Sequence, residues 1–123
     1  MDNCIFCKIA NGEIPTNFLY EDDLVVAIDD IKPVAPIHSL VIPKKHYDNI
    51  IDHVPGETLA AMAHAVEVVT EQKNIQERGF RIIMNIGKDG AQSQNHLHWH
   101  ILGGIRMTPS IMGETIPADQ VED

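Results

Sequence analysis

Three histidines alternate with apolar residues near the end of the chain, in the segment His96-Leu97-His98-Trp99-His100-Ile101-Leu102. Side chains of a β-strand alternate between its two faces, so a strand here would place the three imidazoles together and the apolar side chains opposite them. Neighbouring imidazoles would start about 6.6 Å apart along the strand. Because histidine acts near neutral pH as a nucleophile, an acid or a phosphate donor, the segment predicts a site that divides these roles.

Other interpretations of the three histidines remain open at this stage. They could be a solvated polar stripe, a chance pattern or a three-histidine metal site. Successive positions on one strand suit metal geometry less well than ligands from different elements. The histidines alone favour catalysis no more than all these alternatives together.

A polar segment with two glycines, Gly87-Lys88-Asp89-Gly90-Ala91-Gln92-Ser93, comes shortly before the histidines. Such a loop can offer backbone N–H groups and a hydroxyl to phosphate oxygens. Taken alone it is more typical of an ordinary hairpin loop. Its position before the histidine strand makes it a candidate phosphate loop.

Cys4 and Cys7 have the Cys-x-x-Cys spacing that lets two thiolates bind one ion. The pair supplies only two of the four ligands of a tetrahedral zinc site. The alternatives are a redox pair and two idle thiols. A thioredoxin-type pair would follow a strand, but only three residues precede Cys4.

Periodicity predicts the elements that must position these groups. The predicted strands cover residues 18–20, 24–29, 39–42, 80–86 and 96–102, and the predicted helices cover 4–11 and 57–78. Leu59, Met62, Val66 and Val69 form one apolar stripe on the longer helix. Short turns between strands favour an α+β fold: a five-stranded antiparallel meander with one long and one short helix. Its apolar face would pack on the long helix and leave the other face for a site.

The chain has 123 residues, which predicts one domain over 1–123 with an irregular tail from about residue 106. The formal net charge of −9 argues against a nucleic-acid-binding face, which requires clustered Lys and Arg. No apolar run reaches the roughly 20 residues of a membrane span. The first residues lack the basic and apolar regions of a signal peptide, so we expect a cytoplasmic protein with no membrane partner.

Several segments together resemble the histidine triad family, most closely its nucleotide-binding, phosphoramidase-like branch. The matching segments are 36–46, Asn85, 90–93 and 96–104, with further agreement at 5–6, 13–15, 20–23 and 30–33. The resemblance runs in order over about residues 4–106. It implies the fold of that family and, as a rule, a two-fold homodimer.

The resemblance implies a division of labour within the site. His98 corresponds to the nucleophile that forms a nucleotidyl-histidine, and His100 to a donor to the α-phosphate. Ser93 corresponds to a hydroxyl near the phosphate or leaving group, and His38 to a supporting member. The residues implied to contact the nucleotide are Phe6, Ile14, Ile28, Asp29, Asp30, Ile31, Asn85, Ala91, Gln92, Ser93, His98 and His100.

The side chains in this set match the base, ribose and phosphate of a nucleotide. Phe6 and Ile14 would form apolar walls for the base, although each could equally be ordinary core. A carboxylate in the segment 28–31 suits ribose, because it accepts two hydrogen bonds from a diol. Asn85 and Gln92 match positions that contact ribose or phosphate.

The implied activity is hydrolysis of purine nucleoside phosphoramidates or acyl-nucleotides to the nucleoside monophosphate, with no cofactor for catalysis. A dinucleoside polyphosphate hydrolase and a nucleotide-binding regulatory or scaffold protein with vestigial activity are the alternatives. Some family members bind a structural zinc ion. The corresponding ligands here are Cys4, Cys7, His46 and His96.

Four features depart from the family pattern. Ala91 stands where a second glycine is expected, and Asn95 stands where an aromatic residue is common. Asp29 replaces a residue that is often histidine, and the tail after Arg106 lacks the tryptophan of some relatives. These departures concern the leaving group and leave the nucleophile in place.

Overall fold

The computed structural model describes residues 3–109, which form an antiparallel five-stranded sheet and two helices. The strands are β1 (Tyr20–Glu21), β2 (Val25–Asp29), β3 (Ile37–Pro43), β4 (Arg81–Ile83) and β5 (Trp99–Gly103). The helices are α1 (Ile5–Ala10) and α2 (Gly56–Gln72). The predicted α+β class with one short and one long helix is confirmed.

The strand order is β1-β2-β3-β5-β4, with antiparallel pairing throughout. It differs from a simple meander in one place, because β5 lies between β3 and β4. The connection from β3 to β4 contains α2, which packs across β1, β2 and β3. β4 can therefore form the far edge of the sheet while β5, later in sequence, pairs with β3.

One face of the sheet packs against α2, as the apolar stripe predicts. Met62, Val66 and Val69 are buried there, and Leu59 is partly buried beside them. The sheet contributes Val25, Ala27, Val41 and Ile101 to the same cluster. Leu97 joins this cluster and Trp99 packs against it, so the apolar residues between the histidines do enter the core.

The opposite face carries the histidines and is partly covered by α1. Phe6, Ile9 and Ala10 of α1 pack on the sheet residues Val26, Ile28, Leu40 and Ile42. His100 pairs with Leu40 across β5 and β3, and directly paired residues of antiparallel strands share a face. Part of this face is therefore covered by α1 and belongs to the core, and the rest carries the histidines of the candidate site.

α2 ends at Gln72, earlier than the predicted residue 78. Asn74 adopts a left-handed conformation with φ of 58°, which ends the helical path. Ile75 then turns inward and is buried against Gly103, where an added Cβ would lie 2.8 Å from the Ile75 Cδ1 atom.

β5 begins at Trp99, so only one of the three histidines lies within a strand; the prediction of a strand over 96–102 was too long at its start. The β3–β5 register would pair Pro43 with Leu97, but proline has no N–H for the ladder. The Leu97 amide instead donates to the Tyr47 carbonyl at 2.7 Å. β4 is correspondingly shorter than the predicted 80–86, because its partner β5 begins late.

None of the helices in residues 3–109 has the length and apolar character that a membrane span requires. Residues 106–109 lie outside any helix or strand. The rest of the predicted tail, 110–123, falls outside the described residues.

Candidate active site and metal centre

The ring of His98 is held by its own neighbourhood in a single tautomer. Its Nδ1 atom lies 2.7 Å from the main-chain carbonyl oxygen of His96. A carbonyl only accepts, so Nδ1 carries the proton and Nε2 carries the lone pair. Burial lowers the pKa of His98, which keeps the imidazole neutral at neutral pH.

His98 is only 5% exposed, so the position of Nε2 matters. Within residues 3–109, Nε2 has no hydrogen-bond partner. The buried side-chain nitrogen and oxygen atoms without a partner in that part of the chain are Trp99 Nε1 and Thr108 Oγ1. Nε2 of His98 is not among them, and no hydrogen bond within residues 3–109 engages its lone pair.

His100 receives its tautomer from His38. The Val34 amide donates to His38 Nδ1 at 3.1 Å, so the His38 proton sits on Nε2. His38 Nε2 donates in turn to His100 Nδ1 at 2.9 Å, which leaves the His100 proton on Nε2. Burial, followed by the neighbouring His98 and His38, lowers the pKa of His100 to about 4. His100 is therefore a neutral N–H donor.

Asp30 lies at the far end of this relay. One carboxylate oxygen is 3.4 Å from His38 Nε2, and the other accepts from the Lys32 amide at 2.8 Å. Burial lowers the pKa of His38, and the Asp30 charge partly opposes that shift. The carboxylate thus makes positive charge on the histidines less costly.

The histidine row of the structure consists of His98, His100 and His38, which differs from the row expected on one strand. Ring centroids of His98 and His100 are 4.9 Å apart, and those of His100 and His38 are 5.1 Å apart. His96 packs edge-on against His46 instead, with centroids 4.9 Å apart. The reason is the early end of the β3–β5 ladder at Pro43, which frees His96 from the strand.

The cysteine–histidine cluster (Cys4, Cys7, His46 and His96) gathers its donor atoms within 4.8 Å of one another. His96 Nδ1 lies 3.2 Å from Cys4 Sγ and 3.3 Å from Cys7 Sγ, and His46 Nδ1 lies 3.3 Å from Cys7 Sγ. Tetrahedral zinc with ordinary bond lengths separates sulfur and nitrogen ligands by roughly 3.6 Å. The four residues are close enough to hold a metal ion.

The outer nitrogens of both ligand histidines are already engaged. His96 Nε2 donates to the Pro43 carbonyl at 2.8 Å, and His46 Nε2 donates to an Asp48 carboxylate oxygen at 2.9 Å. Both Nδ1 lone pairs therefore point toward the sulfurs, an arrangement typical of metal-bound histidines. Burial, and next the neighbouring Cys4, raise the pKa of Cys7 to about 11. A bound cation would take the place of the two thiol protons in this cluster.

The loop before the histidines is organised by two amide side chains. Gln92 accepts from the Gly87 amide at 2.9 Å and donates to the Asp48 carbonyl at 2.7 Å. Asn85 donates to the Gly90 carbonyl at 2.8 Å. These groups hold the loop shape. Gly90 is required there, because an added Cβ would lie 2.3 Å from the Ile86 carbonyl oxygen.

Ala91 and Ser93 are exposed in the same loop. Ala91 has φ of 59°, a conformation that favours glycine, which agrees with the departure noted at this position. The loop therefore accepts alanine at the cost of local strain.

The structure gathers some of the expected nucleotide-contacting residues and separates others. Phe6, Ile28 and Ile14 share the apolar cluster beside the histidine row. Ile31 is 92% exposed and belongs to neither apolar cluster of the described residues. Asp29 lies on the opposite, α2-covered face.

Asp29 has structural partners on that face. It accepts from the buried hydroxyl of Ser39 at 2.9 Å and from Lys73 Nζ at 2.9 Å. The alternation of β2 explains the difference, since Asp30 follows it and turns toward His38. Asp29 is therefore not brought to the site.

Sequence reasoning missed three contributors to the site: Val34, Pro43 and Asp48. Val34 and Pro43 act through their main-chain N–H and carbonyl, which have no sequence signature. Asp48 stands two residues after His46, and a carboxylate at that spacing from a ligand histidine was the one available signal.

Comparison with known proteins gives a consistent picture. The sequence profile of the HIT domain matches residues 11–107. The chain is 44% identical over 105 residues to protein HitA of Neisseria gonorrhoeae, covering 84% of this chain and 97% of that protein. It is 40% identical over 113 residues to a purine nucleoside phosphoramidase of Escherichia coli strain K12, covering 89% and 94%.

Solved structures agree with the sequence relatives. A HIT family hydrolase from Clostridium thermocellum superposes with a TM-score of 0.84 at 43% identity, covering 90% of this chain and 98% of the other. A histidine triad protein from Clostridium difficile gives a TM-score of 0.79 at 47% identity, with the same coverage. With the profile match, the two relatives and the geometry of the histidines, the chain belongs to the histidine triad (HIT) family.

Proposed function

We propose that the protein is a nucleotide hydrolase that cleaves purine nucleoside phosphoramidates or acyl-nucleotides through a covalent nucleotidyl-His98. The observation that carries the proposal is the hydrogen bond from His98 Nδ1 to the His96 carbonyl, which leaves an Nε2 lone pair beside a neutral donor, His100. Membership of the HIT family and the 40% identical phosphoramidase support it.

The reaction has two displacement steps. His98 Nε2 attacks the α-phosphorus in line, a P–N bond to the ring forms, and the bond to the leaving amine or acyl oxygen breaks. When the leaving group is an amine, it takes up a proton from solvent as its bond to phosphorus breaks, and the water consumed in the second step returns a proton to solvent. Water then attacks the same phosphorus, the bond to Nε2 breaks, and the nucleoside monophosphate is released.

The charge that develops on the phosphoryl oxygens needs fixed donors. His100 Nε2–H, the Ser93 hydroxyl and N–H groups of the 87–93 loop supply them in this proposal. His38 keeps His100 in the donating tautomer. The apolar cluster around Phe6, Ile14 and Ile28 would receive the base, and Asp30 would accept from ribose hydroxyls.

We further propose that the cysteine–histidine cluster binds one structural zinc ion. The ion would tie the N-cap of α1 to the segment that leads into β5. Metal analysis of protein purified without chelators tests this, with a Cys4→Ser/Cys7→Ser double variant as the matched control. We expect about one equivalent in the wild type, and less than about a tenth of an equivalent contradicts the site.

A homodimer is proposed through the edge strand β4. Among the described residues β4 pairs only with β5, and Phe80, Ile82 and Met84 are exposed in and beside it. An edge strand of this kind is a template for a second strand. Ile82→Glu should convert the protein from dimer to monomer in sedimentation, whereas Ile51→Glu, at an exposed residue before α2, should not. A monomeric wild type contradicts this part of the proposal.

The central experiment is an activity panel with intact-mass detection. Adenosine 5′-phosphoramidate, an acyl-adenylate and diadenosine polyphosphates are incubated with the wild type and with His98→Ala. We expect turnover of the first two, an adenylylated enzyme at early times, and loss of both in the variant by at least about a thousandfold.

The matched control is His64→Ala, because His64 lies exposed on α2 away from the histidine row. A His98→Ala enzyme with near-normal turnover contradicts the mechanism. Preferred cleavage of diadenosine polyphosphates indicates a dinucleoside polyphosphate hydrolase instead. Tight nucleotide binding without any adenylylated enzyme indicates a nucleotide-binding regulatory or scaffold protein.

A further inference from the structure

A continuous set of contacts links the two cysteines to His98. The thiol sulfurs lie 3.2 and 3.3 Å from Nδ1 of His96, which is fully buried. The opposite ring nitrogen of His96 donates to the Pro43 carbonyl. The main-chain carbonyl of His96 then accepts from His98 Nδ1. The residue that contacts both sulfurs therefore also fixes the tautomer of His98.

A second contact runs through Phe6, which stands between the two cysteines in α1. Its ring packs edge-on against His98 with centroids 4.8 Å apart, and against His96 at 6.0 Å. α1 begins with Cys4 as its N-cap, and the Cys7 amide donates to the Cys4 sulfur at 3.3 Å. Both sulfurs therefore lie on the helical turn that carries Phe6, whose ring contacts the His98 ring.

From this arrangement we propose that Cys4 and Cys7 are redox-controlled positioning residues for His98. Oxidation of the pair to a disulfide loosens His98 and lowers turnover while the sheet persists. The effect on turnover rests on the proposed function, whereas the effect on the His98 ring does not.

The oxidant we name is a peroxide. Each sulfur gives up one electron, the Cys4–Cys7 S–S bond forms, and the O–O bond of hydrogen peroxide breaks. In the metal-free protein the two thiol protons end in two molecules of water. In the metal-bound protein two protons from solvent complete the water, and the cation leaves the cluster.

Bond formation requires the sulfurs to move. A disulfide holds its sulfurs about 2.05 Å apart, and it has neither a thiol proton nor a negative charge for a neighbour. His96 Nδ1 then loses both sulfur partners and retains only the Pro43 hydrogen bond on the other ring nitrogen. His98 keeps its hydrogen bond to the His96 carbonyl, but His96 itself is held less firmly. Loss of an outer-shell partner of a metal-bound histidine typically costs tenfold or more, and by analogy we expect turnover to fall by about tenfold.

The experiment oxidises the full chain and follows four signals. Nitrogen-15-labelled protein, as purified with zinc, receives hydrogen peroxide. Intact mass reports the loss of two hydrogen atoms, a chromogenic chelator reports released zinc, and circular dichroism reports the sheet. Ring ¹H–¹⁵N correlation spectra report the His98 imidazole, and turnover of adenosine 5′-phosphoramidate is measured before oxidation, after it, and after dithiothreitol.

The matched control is the Cys4→Ser/Cys7→Ser double variant under the same treatment. These are the two cysteines of the chain, so the variant retains every methionine while it removes the disulfide. Peroxide should change neither its His98 ring signals nor its turnover. Oxidation damage elsewhere would affect both proteins equally.

In the wild type we expect disulfide formation, zinc release, shifted His98 ring signals, about tenfold slower turnover and recovery with dithiothreitol. A complete disulfide with unchanged His98 signals overturns the proposal, as does failure of the disulfide to form or loss of the sheet on oxidation. If the reduced protein cleaves no nucleotide, the proposed function fails, and the His98 ring signals alone decide the positioning role.

Discussion

Acidification from pH 7 to pH 5 should destabilise the protein, and His100 should account for a measurable part of the loss. Burial, His98 and His38 lower the pKa of His100 to about 4, whereas the unfolded chain regains the ordinary value of 6.5. Between these two values the unfolded state binds more protons than the folded state. The free energy of unfolding therefore falls as the pH falls through this window. The contribution of His100 to that free energy is complete above about pH 6.5.

The size of the effect follows from one proton. The slope for one such group reaches at most about 1.4 kcal/mol per pH unit, which gives an upper bound of about 2 kcal/mol between pH 7 and pH 5. The His100 ring is only partly buried, so solvent screening reduces this to about 1 kcal/mol. Most carboxylates titrate below this window, which isolates the histidines.

Urea unfolding at the two pH values measures the difference. His100→Gln should lose about 1 kcal/mol less than the wild type on acidification, because its side chain does not titrate. His64→Gln is the matched control; the His64 side chain is 55% exposed, and this variant should follow the wild type. An equal loss in the wild type and in His100→Gln would refute the assignment of His100 as a partly buried neutral donor.

Three further predictions concern the groups around the row. His38→Gln keeps an N–H donor within reach of His100, whereas the shorter side chain of His38→Asn does not reach it. The Asn variant should therefore turn over about tenfold more slowly than the Gln variant in steady state. Equal rates for the two variants contradict the relay. Gly90→Ala should lower the free energy of unfolding by about 1–3 kcal/mol in thermal unfolding, because the new Cβ meets a carbonyl oxygen at 2.3 Å. Gly56→Ala, with open space around it, sets the baseline, and matching melting temperatures argue against the clash. Asp29→Ala should cost about 1–2 kcal/mol in urea unfolding by leaving the buried Ser39 hydroxyl without its acceptor. A larger effect on nucleotide affinity than on stability would indicate that Asp29 contributes to nucleotide binding after all.

The α2 stripe shows what local pattern predicts well. Apolar spacing identified Met62, Val66 and Val69 as buried, because burial of a helix face depends mainly on which residues share that face. The end of α2 was predicted poorly, since Asn74 leaves the helix so that Ile75 can pack against Gly103. That packing joins segments far apart in sequence, and no local pattern records it.

The histidine segment shows the same limit at the site. Alternation correctly sent Leu97 and Ile101 to the core. It could not indicate that Pro43 ends the ladder, which turns His96 toward the cysteines. Nor could it indicate that the β3–β5 register places His38 beside His100. Asp29 and Asp30 were likewise indistinguishable as carboxylates until the β2 register assigned them to opposite faces.

By itself, the sequence determined the family, the chemical groups available for catalysis and the two thiols that can bind a metal, because these depend only on residue types and their spacing along the chain. The tertiary structure decided which groups meet. His38 and His100 are 62 residues apart, and the β3–β5 register brings them together. His46 and Cys7 are 39 residues apart, and they meet because α1 packs against the sheet near the end of β3. It also decided the tautomers of His98 and His38, since their partners are the His96 carbonyl and the Val34 amide. Main-chain groups are the same in every residue other than proline, so only the folded path of the chain can specify where they point.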